Sequence, residues 1–287
     1  MARILKGKEV ADAINENSIN IINELKQNNI NPTLAIFRVG EKDADISYET
    51  GTMKKCKQLD VNVINYLFPE DVSVEEFYDK LEEANEDKNI HGILVFRPLP
   101  KDRFNDDRLR NSINPSKDVD GCSDLSLAGT FTNKDLGFPA CTAQATLEVL
   151  DYYNIDIEGK NIVIIGRSLV IGKPVSMMLL NKNATVTICH TKTQNLAQIC
   201  SKAEILICSA GRVEMVNKDF TNKNQIVIDV GIDWNEKKQK LSGDVDFDEV
   251  EPLVQAITPV PGGIGAITTS ILINHVVKAA KNLNHLK

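Results

Sequence analysis

Residues 161–174, Asn-Ile-Val-Ile-Ile-Gly-Arg-Ser-Leu-Val-Ile-Gly-Lys-Pro, hold the arrangement with the most chemistry in this chain. An apolar, β-branched run ends in Gly166-Arg167-Ser168; Gly172 and Pro174 follow and open an amphipathic run over 175–180. The order reads strand, tight turn, helix. A helix N-terminus at the carboxyl end of a parallel strand offers unpaired backbone N–H groups and a partial positive charge, which suit a phosphate or pyrophosphate. Glycines let the backbone come close to such a ligand. The spacing is Gly-x5-Gly, not Gly-x-Gly-x-x-Gly, so the turn alone fits an ordinary strand-to-helix connection equally well.

The next apolar strand, 184–188, runs into Cys189-His190-Thr191-Lys192-Thr193. It lies roughly 20 residues past the glycine turn, where NAD-binding folds place an acid on the ribose hydroxyls. No acid stands there. A His, hydroxyls and a Lys do, and Arg167 projects from the turn itself. Such a cluster favours a 2′-phosphate, so the residues point to NADP over NAD. A solvated basic loop is the alternative.

Four further segments gather glycine, proline and polar residues at strand ends: 92–100, 118–121, 229–232 and 258–268. Each alone reads as turn chemistry. Together they outline a ligand site.

The elements that must position these residues alternate between helical and extended patterns, which implies an α/β protein with mostly parallel sheets. A long amphipathic helix over 9–26 precedes strands at 33–39, 61–67 and 92–96, with helices at 47–59 and 74–86 between them. A polar, loop-like stretch over 130–139 leads to a helix at 142–153. Strands follow at 162–165, 185–188, 205–209, 225–230 and 256–257. The final helix, 266–283, has no strand after it and is expected to pack back on the first array. The expected domains are 1–139, joined by 266–287, and a Rossmann-like 140–265, with the ligand cleft between them at the carboxyl ends of the strands.

The 287 residues suffice for two cores, and a net charge of −7 argues against nucleic-acid or acidic-membrane partners. Six cysteines are scattered without metal-ligand spacing, so no metal is expected. With neither a signal-like start nor a long apolar run, a reduced, cytoplasmic setting is the natural expectation.

Taken with Gly92–Pro100, Lys117-Asp118-Val119-Asp120-Gly121, Gly166–Pro174 and Thr258–Thr268, the whole chain resembles the methylenetetrahydrofolate dehydrogenase/methenyltetrahydrofolate cyclohydrolases of one-carbon metabolism. The resemblance implies a folate domain, an NAD(P) domain and a homodimer. It implies cofactor contacts at Gly166, Arg167, Ser168, Thr191 and Ile232, beside the His190 already noted. It gives Tyr48 to stacking on the folate, Asp120 to anchoring the pterin, and Pro261-Gly262-Gly263 to walling the site. These roles are physically sensible: an aromatic face holds flat rings, and a carboxylate accepts two parallel hydrogen bonds. The alternatives are a half-buried core aromatic for Tyr48, expected at the start of its helix, and a turn cap for Asp120.

The departures from the family pattern are as informative. Bifunctional members carry Tyr-x-x-x-Lys on this helix, and the fourth residue after Tyr48 is Thr52. The family Gln that positions that Lys falls at Phe96, and a family Ser falls at Asp45. Thr offers no cation, and Phe cannot hydrogen-bond a lysine. Lys55 lies on the face of Tyr48 but about 4.5 Å further along the axis than Thr52. Hydride transfer depends mainly on placement, whereas adding water to the methenyl carbon needs a positioned acid/base. The expected activity is thus an NADP-linked dehydrogenase with cyclohydrolase weakened or lost. Alternatives are a fully bifunctional enzyme recruiting Lys55 and a non-catalytic folate- or nucleotide-binding protein.

Overall fold

Helical and extended segments alternate as the periodicity requires in the computed structural model, which describes residues 1–286. The first run is β1 (Arg3–Ile4), α1 (Gly7–Gln27), β2 (Thr33–Val39), α2 (Asp43–Gln58), β3 (Asn62–Phe68), α3 (Val74–Glu86), β4 (Gly92–Val95), α4 (Asp106–Ser112) and α5 (Asp124–Thr132). The second is α6 (Cys141–Tyr152), β5 (Asn161–Ile165), α7 (Gly172–Leu180), β6 (Thr185–Cys189), α8 (Leu196–Cys200), β7 (Ile205–Cys208), β8 (Ile226–Asp229), β9 (Asp233–Asn235), β10 (Lys240–Ser242), α9 (Phe247–Val250), β11 (Ala256–Ile257) and α10 (Gly265–Leu283).

Two units result, Met1–Asp12 with Ala140–Thr268, and Ala13–Pro139 with Thr269 onward. The first holds a six-stranded parallel sheet in the order β1-β11-β8-β7-β5-β6. Residues 1–12, expected with the first array, fall in the same unit as 140–268. Arg3 N donates to Gln255 O (2.9 Å) and Leu5 N to Ile257 O (2.8 Å), so β1 extends the sheet of the second half of the chain. A two-residue strand shows no periodicity, and its partner lies near the other end of the sequence.

The other unit is built on a three-stranded parallel sheet, β3-β2-β4. All seven residues of β2 are buried, as expected for a central strand. Phe37 of β2 stacks on Tyr66 at 4.4 Å and meets Phe77 of α3 edge-on at 5.8 Å. Burying one such ring contributes about 2–3 kcal/mol.

Three local readings change. Helix α2 starts at Asp43 rather than 47, since Asp43 and Asp45 in its first turn suit the positive end of the helix dipole. Tyr48 thus sits on the second turn. The two short helices α4 and α5 went unrecognised, and α5 takes up 130–132 of the expected loop. They rest on caps instead of periodicity: Asn105 Oδ1 accepts from Arg108 N (2.8 Å), and Ser123 Oγ accepts from Ser126 N (3.3 Å).

One packing feature fixes the loop after residue 117. A Cβ at Gly92 would lie 2.8 Å from Val119 and 2.9 Å from Val276, so only glycine lets β4 carry both that loop and α10. Ile93 N donates to Lys117 O (2.8 Å), and the ring of His275 on α10 bonds through Nδ1 to Val119 O (2.8 Å). Phe138 stacks on the same imidazole at 4.7 Å.

Burial pushes the His275 imidazole down to about 4, the Val119 bond acting in the opposite sense. The unfolded chain takes up a proton near pH 6.5 that the fold refuses, so this contribution is present above 6.5 and is lost as pH falls toward 4. Urea denaturation should show a stability loss of up to about 3 kcal/mol from this group across that range. In His275→Gln the acid-side slope should flatten.

Candidate active site

Strand β5 runs directly into the glycine turn. Gly166 has φ 127°, and a Cβ there would lie 2.4 Å from Ser209 O; a Cβ at Gly172 would lie 2.2 Å from Gly166 O. Both glycines are therefore dictated by close packing of turn, helix and neighbouring strand. Ser168 Oγ accepts from Ile171 N (3.1 Å) and folds the turn, while the residue preceding α7 supplies no side-chain cap. Lys173 N donates to Ser168 O (3.0 Å), Val175 N donates to Ile171 O (2.9 Å) and Pro174 has no N–H, so Gly172 N is the one left to a ligand or solvent in this turn. Arg167 is exposed on the same turn.

After β6 the chain closes a second small turn. His190 N donates to Thr193 Oγ1 (2.8 Å), and Lys192 N donates to His190 Nδ1 (3.1 Å). With Nδ1 as acceptor, the neutral ring carries its proton on Nε2. Thr191 and Lys192 are exposed beside it. Ile232, 54% exposed, follows the end of β8.

Two buried carboxylates hold the loops of this unit. Asp229 accepts from Gly231 N (3.1 Å), Asp244 N (3.0 Å) and Val245 N (3.0 Å). Asp244 accepts from Ala210 N (2.5 Å), Gly211 N (3.2 Å) and Arg212 N (2.8 Å). Desolvation pushes the Asp229 carboxyl up to about 7 against the pull of its backbone donors, with the Asp244 charge adding to the rise. Asp244 escaped the sequence reading: Gly243-Asp244 resembles any hairpin exit, and nothing local marks its three acceptor bonds.

The Pro261-Gly262-Gly263 loop is braced from the N-terminal segment. Gly7 N donates to Gly262 O (2.8 Å), and a Cβ at Gly7 would lie 2.0 Å from Gly263 O. Gly262 adopts φ 101°, open to glycine alone. Val260–Pro261 is cis.

In the other unit, Tyr48 is 37% exposed and meets Phe96 edge-on, rings 5.7 Å apart at 76°. Helix α2 is pinned to β2 by the buried pair Arg38–Glu49 (2.5 Å), one residue from Tyr48. Thr52 is fully buried and its Oγ1 has no hydrogen-bond partner. Lys55, three residues on, is partly exposed. In the loop after β4, Asp118 is wholly buried and accepts from Cys122 N (3.0 Å), Ser123 N (2.7 Å) and Ser126 Oγ (2.6 Å). Asp120 stays 31% exposed, with Arg97 Nη2 3.6 Å from its Oδ2. The structure thus joins Tyr48 to Phe96 and Asp120 to Arg97, a residue the motifs had not singled out.

Comparison with known proteins decides what these loops serve. Residues 5–120 match the catalytic domain of tetrahydrofolate dehydrogenase/cyclohydrolase, and 140–284 match the NAD(P)-binding domain of the same family. The chain belongs to the tetrahydrofolate dehydrogenase/cyclohydrolase family. It is 46% identical over 286 residues to the bifunctional protein FolD of Clostridium kluyveri, covering 100% of both chains. Among solved structures, the bifunctional FolD of Campylobacter jejuni superposes with a TM-score of 0.94 at 37% identity, covering 98% of this chain and 99% of that one. Trypanosoma brucei FolD, complexed with NADP cofactor and inhibitor, follows at 0.91 and 28%, covering 98% of each chain. The enzyme therefore pairs the family's catalytic domain with its NAD(P)-binding domain.

The buried carboxylate network should be required for that second domain's loops. Asp244→Ala strips acceptors from three backbone N–H groups, each costing about 1–3 kcal/mol if left unpaired in the interior. Denaturant unfolding should report a loss of several kcal/mol, and cofactor titration a weaker affinity in the folded fraction.

Proposed function

We propose that the enzyme oxidises 5,10-methylenetetrahydrofolate to 5,10-methenyltetrahydrofolate with NADP, and that its cyclohydrolase step, to 10-formyltetrahydrofolate, is weakened or lost. The observation that carries this reading is Thr52, buried with an unpartnered hydroxyl one helical turn after Tyr48.

The residues of the glycine turn fit the cofactor. The uncapped start of α7 and the Gly166–Gly172 cradle suit its pyrophosphate, with Ser168 shaping the turn. Arg167, the Nε2–H of His190, Thr191 and Lys192 form a donor set suited to a 2′-phosphate. Ile232 offers an exposed apolar contact. Bound NADP supplies the hydride acceptor.

On the folate side, Tyr48 presents its ring to the pterin and aminobenzoyl planes, and Phe96 fixes that ring from its edge. Asp120 receives the pterin N–H donors. The Pro261-Gly262-Gly263 loop, held by the bond from Gly7 N to Gly262 O, is a further stretch that the family resemblance gives to the substrate. These groups orient the substrate and exclude water, which is most of what hydride transfer asks of a protein. Water addition asks more. It needs a group that moves a proton, worth about 10²–10⁴-fold, and neither Thr52 nor Phe96 titrates.

The family also supports two further parts of this reading. Edge strand β3 leaves Ile64 at 38% and Leu67 at 51% exposure, with an unpaired ladder edge, a face on which two copies can pair into a homodimer. Six buried free cysteines suit a reducing, cytoplasmic setting and a role in supplying one-carbon units, as for purine synthesis.

Cofactor choice is tested by steady-state kinetics with NADP and NAD. NADP should be preferred, and Arg167→Ala should raise KM for NADP while changing KM for NAD little; equal use of both by the wild type overturns this part.

Restoring the family pair tests the cyclohydrolase reading. Lys in place of Thr52 must enter a fully buried position, so Thr52→Lys alone should restore little water addition. Adding Phe96→Gln gives room and a hydrogen-bond partner, and methenyl-folate hydrolysis should then rise by about 10²-fold or more, non-additively. Dehydrogenase kcat should change less. Strong wild-type hydrolysis that survives Lys55→Ala would overturn the reading, and loss on Lys55→Ala would assign the step to Lys55.

A further inference from the structure

Arg97 follows Phe96 at the end of β4, where neither the sequence motifs nor the family resemblance gives it a role. Its side chain is 17% exposed, with Nη2 3.6 Å from Asp120 Oδ2 and Nη1 3.7 Å from Asp106 Oδ1 on α4. We propose that Arg97 is a positioning residue for the folate, holding Asp120 ionised and aimed so that its carboxylate can accept the pterin N–H donors. The inference rests on the reading of Asp120 as the pterin anchor.

Several charged and titratable groups lie around Arg97 and Asp120. From its own loop come the buried carboxylate of Asp118 and the thiol of Cys122; from α4 comes Asp106. Asp118, Asp120 and Arg97 all bear on the Cys122 thiol, which burial above all pushes well up. Arg110 is engaged by Asp106 (3.3 Å), Asp107 (2.5 Å) and Asp124 (2.6 Å), so the guanidinium that reaches Asp120 is that of Arg97. A protonated Asp120 would turn a donor toward the pterin's own donors, whereas the opposite charge of Arg97 favours the carboxylate.

The geometry suits holding rather than capture. At 3.6 Å the contact with Asp120 is an ion pair, longer than a hydrogen bond, so it acts mainly through charge. Asp106 shares the guanidinium through Nη1 at 3.7 Å, while Nη2 meets Asp120. Arg97 also follows directly on Phe96, so one short segment sets both the Tyr48 platform and the anchor.

The test is steady-state kinetics with 5,10-methylenetetrahydrofolate across pH, on wild type, Arg97→Gln, Arg97→Lys and Asp120→Asn. Arg97→Gln should raise KM about tenfold with kcat held within about twofold, and should move the acid limb of kcat/KM up by roughly one pH unit. Arg97→Lys should return most of both effects, and Arg97→Gln should add little in the Asp120→Asn background. An Arg97→Gln enzyme with wild-type KM and acid limb, alongside a raised KM in Asp120→Asn, overturns the inference and leaves the anchor standing. An unchanged KM in Asp120→Asn removes the anchor and the inference with it. If Arg97→Gln does not fold, Asp106→Asn decides: releasing the guanidinium to Asp120 should lower the acid limb, and an unmoved limb overturns the proposal.

Discussion

Buried carboxylates that accept backbone N–H groups hold the loops of both units in place. A loop leaving a buried strand end brings polar backbone that water cannot reach, and each unpaired group there is costly. Asp229 and Asp244 settle six such donors at the ends of β7 and β8 and at the exit of β10. Asp118 does the same at the start of α5 with two N–H groups and a hydroxyl. Glycines complete the arrangement, because a Cβ at Gly243 would lie 1.9 Å from Asp229 and one at Gly231 2.4 Å from Asp244. The ligand-facing side chains are mounted on loops made rigid this way, which suits chemistry that depends on placement.

Within that frame, adjacent acids take opposite tasks. Asp118 and Asp120 are two residues apart, yet one is wholly enclosed by backbone donors and the other is half-exposed beside an arginine. The first fixes the loop and the second stays partly exposed. The same division separates Asp229, inside the network, from Ile232 three residues on, exposed at the surface. Gly121, at φ 71°, turns the chain directly after Asp120.

At the positions where the family pattern has Lys and Gln, this chain has Thr52 and Phe96. Tyr48 and Phe96 form an aromatic corner, Arg38–Glu49 pins the helix behind it, and Thr52 fills the interior beneath without a partner for its hydroxyl. On the reading proposed above, orientation is retained and a titrating group is missing. That combination serves hydride transfer better than water addition.

Local pattern in the sequence determined the alternating elements, the parallel sheets, the glycine turn and the basic cluster after β6, because each depends on residues close together in the chain. The departure at Thr52 and Phe96 was also legible, since it is a matter of residue identity. Tertiary structure decided the rest. Two-residue β1 joins a strand near the far end of the chain, Asp244 gathers donors more than 30 residues away, and Arg97 finds its acids on two later elements. Such contacts leave no periodic or spacing signal, because their energy comes from burial and charge pairing that exist only once distant segments meet.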